Sequence, residues 1–226
     1  MKRKTEILVK LKRLGMAISL LFFSMLIFAQ TFEVNGIRFK LVDESGYGAY
    51  EAVVVKSGYN GHVEIPEQVS YEGNSYWVRR IGNGAFENCT ELTSVTLPPY
   101  LFYINQNAFR NCTGLTSIII PERVMEIGDY SFYGSGIKSL EIGRKVKSIG
   151  SNSFRDCKYL TSVILPSTLT TISYCLFSGC TSLTSVSFGG AVIIEEQAFR
   201  GCTSLESITI PKSVRRIGSK AFSDCI

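Results

Sequence analysis

Seven cysteines and a single histidine are the residues of this chain with the widest chemical range. Six of the cysteines, Cys89, Cys112, Cys157, Cys180, Cys202 and Cys225, each follow a phenylalanine by three positions. A zinc site needs clustered C-x-x-C or histidine spacing, and the chain has neither. A column of in-register thiols about 5 Å apart is within reach of disulfide formation, but parallel side chains rarely attain the required torsion. The six are therefore read as small buried hydrophobes. Cys175 lies two residues before Phe177, outside the column, and is the candidate for an exposed thiol. His62 has no nucleophile motif near it, so a Ser-His-Asp or Cys-His apparatus lacks its partners, and it reads as surface or hydrogen-bonded structure. The glycines follow a repeat period and form no phosphate loop. No catalytic residue, cofactor or metal site is expected.

The elements behind this spacing are repeats. Phe86, Phe109, Phe132, Phe154, Phe177, Phe199 and Phe222 recur at intervals of 23, 23, 22, 23, 22 and 23 residues. A fixed period of this size implies a solenoid in which each repeat is one stacked coil. The unit from Ile81 to Tyr103 gives the pattern I-G-x-x-A-F-x-x-C-x-x-L-x-x-V-x-L-P. Alternation in L-x-x-V-x-L suits a short strand with one buried face, from Ser94 to Leu97 in the first unit and Ser207 to Ile210 in the sixth. Pro66, Pro98, Pro121, Pro166 and Pro211 each follow an Ile or Leu that ends such a strand. Proline donates no N–H, so pairing stops and the chain turns at the same corner of each coil. The segment around I-G-x-x-A-F should form a second short strand and a tight turn, with Phe and Cys pointing inward. Two units are a residue short, at Gly134–Gly136, where the cysteine is lost, and at Phe188–Gly190.

Strand positions facing away from the core form the candidate partner-binding face: Thr93, Ser94, Thr96, Thr116, Ser117, Ile119, Thr161, Ser162, Ile164, Thr184, Ser185, Ser187, Glu206, Ser207 and Thr209. Lys138, Ser139 and Glu141 complete it in the third unit. Stacking would turn the recurrent Ser and Thr into hydroxyl-rich columns, and such residues equally suit any exposed strand. Charges on the edge before each isoleucine (Arg79-Arg80, Lys145, Lys147, Arg215-Arg216) do not align from unit to unit.

Residues 1–29 read as a secretory signal peptide, with a basic start, thirteen mostly apolar residues from Met16 to Phe28, and a small residue at the cut. Thirteen helical residues span about 20 Å, short of a membrane core of about 30 Å. The formal charge of +5 belongs to this segment; the remainder holds 18 bases and 18 acids, so nothing implies a nucleic-acid or anionic-membrane partner. No membrane span is expected after cleavage. Residues 30–80 are read as an N-terminal β cap with a degenerate first coil at V-E-I-P (63–66) and a hairpin around Gly73-Asn74. Residues 81–226 are the array, six full units and a shortened seventh. The sequence stops nine residues past Ile217, which reads either as truncation or as an open coil available for self-association.

The segments L-T-S-V-T-L-P (92–98), L-T-S-V-I-L-P (160–166) and L-E-S-I-T-I-P (205–211), with I-G-N-G-A-F-E-N-C (81–89) and I-G-S-K-A-F-S-D-C (217–225), carry a resemblance. The pattern resembles the BspA-like (Treponema pallidum type) leucine-rich repeats of bacterial surface proteins. It lacks the asparagine ladder of the common leucine-rich pattern, so no helical convex face is implied. The resemblance implies a mainly β leucine-rich-repeat solenoid of 22–23-residue coils. It also implies a secreted or cell-surface protein that binds a protein or glycoprotein ligand, with adhesion to host matrix or other cells as its role. The alternative is a structural or decoy envelope module with no dedicated ligand.

Overall fold

The computed structural model describes residues 31–43, 46 and 48–225. The proposed signal segment lies outside these residues. The described chain contains no helix and is built from seventeen short strands. The cap opens with a hairpin of β1 (Thr31–Val34) and β2 (Ile37–Val42), turned at Asn35-Gly36, both at positive φ. β3 (Glu51–Val54) pairs antiparallel with β2, while β4 (Gly61–Glu64) supplies the degenerate coil. β5 (Gln68–Tyr71) and β6 (Asn74–Ile81) form a second hairpin, with Glu72 and Gly73 at positive φ, one residue earlier than the sequence suggests.

Each of the first five coils of the array contributes one strand to each of two sides, and the last two contribute to the first side only. The first side is laid down by the isoleucine that opens each unit: β6, β8 (Tyr103–Ile104), β10 (Glu126–Ile127) and β12 (Ser148–Ile149) run in parallel register. β14 (Thr171–Ile172), β16 (Ile193–Ile194) and β17 (Arg216–Ile217) form a separate parallel sheet. At the junction of β12 and β14 side-chain hydroxyls bridge the coils, Ser173 Oγ to Ile149 O and Thr168 Oγ1 to the carbonyls of Arg144 and Val146.

The second side carries β7 (Leu92–Thr96), β9 (Ser117–Ile119), β11 (Ser139–Glu141), β13 (Ser162–Ile164) and β15 (Ser185–Ser187). Here the ladder forms in pairs, β4 with β7, β9 with β11 and β13 with β15. Ser207–Ile210, expected as a strand, makes no ladder. The preceding unit is short at Phe188–Gly190, and Ile208 and Ile210 remain partly exposed, so neither register nor burial fixes that segment.

Between the two sides lies the core. All the ladder phenylalanines except Phe222 are fully buried, and consecutive rings stack 4.8–5.6 Å apart within 13° of parallel. Each aromatic pair adds about 0.5–1.5 kcal/mol beyond its burial. The cap starts the column: the Tyr59 ring lies 4.5 Å from Phe86, and its hydroxyl donates to Val55 O and accepts from Arg38 N.

The turn around each phenylalanine is fixed by two left-handed residues, two before and two after the ring. The earlier position holds Gly84, Asn107, Tyr130, Asn152, Cys175, Gln197 and Lys220; the later one holds Asn88, Asn111, Gly134, Asp156, Gly179, Gly201 and Asp224. Asn, Asp and Gly tolerate this conformation best.

Candidate functional site

The cysteine column contains only free thiols, and in each coil the thiol serves packing and hydrogen bonding. Cys112 Sγ donates to Phe86 O at 3.0 Å, and Cys157, Cys180, Cys202 and Cys225 repeat the bond to Phe132, Phe154, Phe177 and Phe199 at 3.1–3.2 Å. The carbonyl of the ladder phenylalanine thus accepts a thiol from the next coil. Where the cysteine is missing, Ser135 occupies its place, buried and 3.4 Å from Cys157 Sγ. Burial pushes the Cys112, Cys157 and Cys202 thiols up to about 12 and Cys180 well above its usual value. Such groups stay protonated and are poor nucleophiles.

Cys175 is not the exposed thiol that the sequence suggested. It is 1% exposed, because the left-handed turn folds its side chain under the next coil, with Sγ 3.7 Å from Gln197 Oε1. His62 is exposed on β4, and its Nδ1 lies 2.7 Å from Ser94 Oγ. Register places His62 opposite Ser94, so it heads the serine column as a hydrogen-bonded surface residue. Among the described residues, no group of three or more His, Cys, Asp and Glu side chains is placed to hold a metal ion, and no helix is long and apolar enough to cross a membrane.

The candidate face has a definite geometry. Register aligns Ser117 with Ser139 and Ser162 with Ser185. Thr93, Thr96, Thr116, Ser117, Ile119, Thr161, Ser162, Ile164, Thr184, Ser185, Ser187, Glu206, Ser207 and Thr209 are all exposed. Ser94 is the exception, half-buried against His62. Ile119 and Ile164 are 64% and 75% exposed, more than any other large apolar side chain on the described surface. Glu141 stands opposite Ile119 in register, between the two isoleucines in coil order. An open groove of about 910 Å³ runs beside β7, β9 and β11, with Tyr100 and Arg123 on its rim. The Arg123 guanidinium lies 4.7 Å over the Tyr100 ring, which also meets Trp77. On the opposite side, Arg79 covers Phe102 and Arg80 covers Tyr103, so two of the bases on that edge are held on aromatic rings, while Arg216 pairs with Glu195.

A helix-free stack of 22–23-residue coils, with strands on two sides and a phenylalanine column between them, defines a leucine-rich repeat solenoid. The model of the BspA type leucine rich repeat region matches six copies over residues 79–193 and 190–226. The chain belongs to that family. Among solved structures it is similar to a leucine rich cell surface protein from Faecalibacterium prausnitzii A2-165, at 34% identity and a TM-score of 0.76, over 87% of this chain and 52% of that one. A leucine-rich repeat protein from Bacteroides ovatus ATCC 8483 matches at 29% identity and TM-score 0.69, over 86% of this chain and 57% of that one. The T. pallidum leucine rich repeat protein, at 24% identity and TM-score 0.56 over 70% of this chain and 82% of that one, shares the fold. The chain spans little more than half the length of the first two. No curated protein matches it.

Proposed function

We propose that this chain is exported and serves at the bacterial surface as a protein-binding module, engaging its partner through the strand face. Membership in a repeat family with relatives described as surface proteins supports a protein-interaction role. The observation that carries the assignment to this face is its exposure of two large aliphatic side chains, Ile119 and Ile164, among hydroxyl columns. Large apolar groups on an otherwise polar surface mark interaction sites. Repeat proteins bind through such extended surfaces by many distributed contacts. Adhesion to matrix proteins or to other cells is the role that this mode of binding fits.

The test compares the protein with a variant bearing Thr93→Lys, Thr116→Lys and Thr161→Lys, all exposed positions. Capture from matrix and cell-surface extracts should fall sharply in the variant while its thermal unfolding is unchanged. Equal capture by both would overturn the strand-face assignment. Export is checked separately, by N-terminal sequencing of the protein recovered outside the cytoplasm.

A further inference from the structure

Large apolar side chains occur on the face at one column only, whereas the first strand position varies between Thr, Lys138 and Glu206. The third strand position reads Thr96, Ile119, Glu141, Ile164 and Ser187 through five consecutive coils. The serine column beside it is the same in every unit, and the inward columns on either side are all apolar, Val or Ile with Leu140, and Ile or Leu with Phe188. Two exposed isoleucines with a carboxylate between them are therefore a local composition, placed in the second, third and fourth coils.

The separation of these groups follows from the pitch of the stack. Phe109, Phe132 and Phe154 belong to the same three coils, and their rings are spaced 5.1 Å and 5.1 Å apart. Carried outward from the core to the face, this pitch corresponds to about 10 Å between the coils of Ile119 and Ile164, with the coil of Glu141, the register partner of Ile119, between them. An α-helix rises 1.5 Å per residue, so side chains seven apart on one face are separated by about 10.5 Å, with positions three and four residues on between them. An extended strand offers same-side residues about 6.8 or 13.5 Å apart, and neither spacing meets both isoleucines. A polyproline helix repeats on one face at about 9.3 Å but presents nothing midway toward the carboxylate.

The charge pattern agrees. Glu141 makes no ion pair among the described residues, whereas Lys138, the base of the same strand side, lies 6.0 Å from the Tyr159 ring. Nearby Glu122 is engaged by Arg144. The unmatched group in the column is an acid, so its partner supplies a base.

From this spacing and charge we infer that the strand face of the second to fourth coils seats an amphipathic helix of a protein partner, lying along the stacking axis. The helix places aliphatic side chains seven residues apart on Ile119 and Ile164 and a Lys or Arg at the third or fourth position between them, against Glu141. This rests on the strand-face reading and narrows it to one class of ligand. It adds a helix-in-face mode of recognition, in which specificity comes from three side chains and the serine hydroxyls act as a wettable floor.

The probe is a synthetic Ala-rich helical peptide with Leu at two positions seven apart and Lys four residues after the first. Two controls have the same length, one of the same composition with the leucines five apart and one with a central alanine replaced by a proline that breaks the helix. Fluorescence anisotropy on the full chain should show saturable binding of the probe and at least about tenfold weaker binding of both controls, the loss expected when one buried aliphatic contact is removed. Ile119→Asn and Ile164→Asn should each weaken the probe by at least about tenfold on the same ground. Glu141→Lys should abolish binding, and a peptide with Glu in place of Lys should restore it. Because the three side chains are exposed, unfolding midpoints should not move. Equal binding of the proline peptide, or indifference to all three substitutions, overturns the helix. If the probe fails but Ile119→Asn still removes partners captured from extracts, the helix proposal falls and the strand-face reading stands; if capture is also indifferent, both fall.

Discussion

Along the interior every coil presents the same ring and, three residues on, a small thiol or hydroxyl, whereas along the strand face the third position of successive strands reads Thr96, Ile119, Glu141, Ile164, Ser187 and Thr209. The interior groups are each other's environment. Phe132 stacks between Phe109 and Phe154, and its carbonyl accepts the Cys157 thiol, so a change in one coil is felt in both neighbours. Face residues meet water on one side and, apart from Ser94 bonded to His62 and Thr184 donating to Thr161 O, need only fit a strand. The same period therefore enforces uniformity inside and, beside the constant serine column, leaves the third strand position free to vary on the face, where recognition needs it.

Raising the pH should attack the interior column most strongly. Cys112, Cys157 and Cys202 are held at about 12 in the fold, above a free thiol. Below about pH 8.5 both folded and unfolded chains keep these protons, and their contribution to stability is complete. Above it the unfolded chain releases protons that the folded chain retains, so stability falls as pH rises toward about 12, by about 1.4 kcal/mol per pH unit for each thiol. Urea melts across this range should steepen that decline in the native protein relative to a Cys157→Ala variant, whatever the variant's stability at neutral pH. Thiol-modifying reagents should label the four fully buried column cysteines only on unfolding.

Next in size is Phe132→Ala, which opens a cavity in the fully buried stack and should cost about 3–5 kcal/mol in denaturant unfolding. Gly128→Ala should follow, at about 1–3 kcal/mol, as its Cβ would meet the backbone nitrogen of Gln106 at 2.5 Å in the coil before. Two serines at one repeat position sharpen the comparison further. Ser153 Oγ donates to Gly128 O and Gly150 O, whereas buried Ser131 Oγ has no partner. Ser153→Ala should destabilise by about 1 kcal/mol, and Ser131→Ala should stabilise by a similar amount. Smallest of all, Thr116→Lys on the face should stay within about 0.5 kcal/mol of the native protein. A larger loss there would break the distinction between a constrained interior and a free face.

This asymmetry also explains what could be read from the chain alone. The phenylalanine period, the proline corners and the buried thiols are local patterns repeated many times, so the solenoid and its core follow from spacing. Contacts between coils are less legible. Pairing of the face strands in twos depends on how neighbouring coils settle against one another, and the His62–Ser94 bond joins residues 32 apart. Cys175 was misplaced for a more specific reason. Its position is a left-handed turn in every unit, and Gly84, Asn107 and Asn152 there were the available sign. The exposed Ile119 and Ile164 were visible as face residues, but the pitch that gives their separation had to be measured.

Tyr59 has a consequence for how order can spread along the stack. Its ring closes the phenylalanine column on the N-terminal side, and its hydroxyl is tied to both Val55 and Arg38. The cap thus gives Phe86 an aromatic seat that no repeat has to supply. Each coil meets only its neighbours, so docking one more coil needs only the closure of some twenty residues. The stack can therefore be extended as a templated series, with the tyrosine as one starting block.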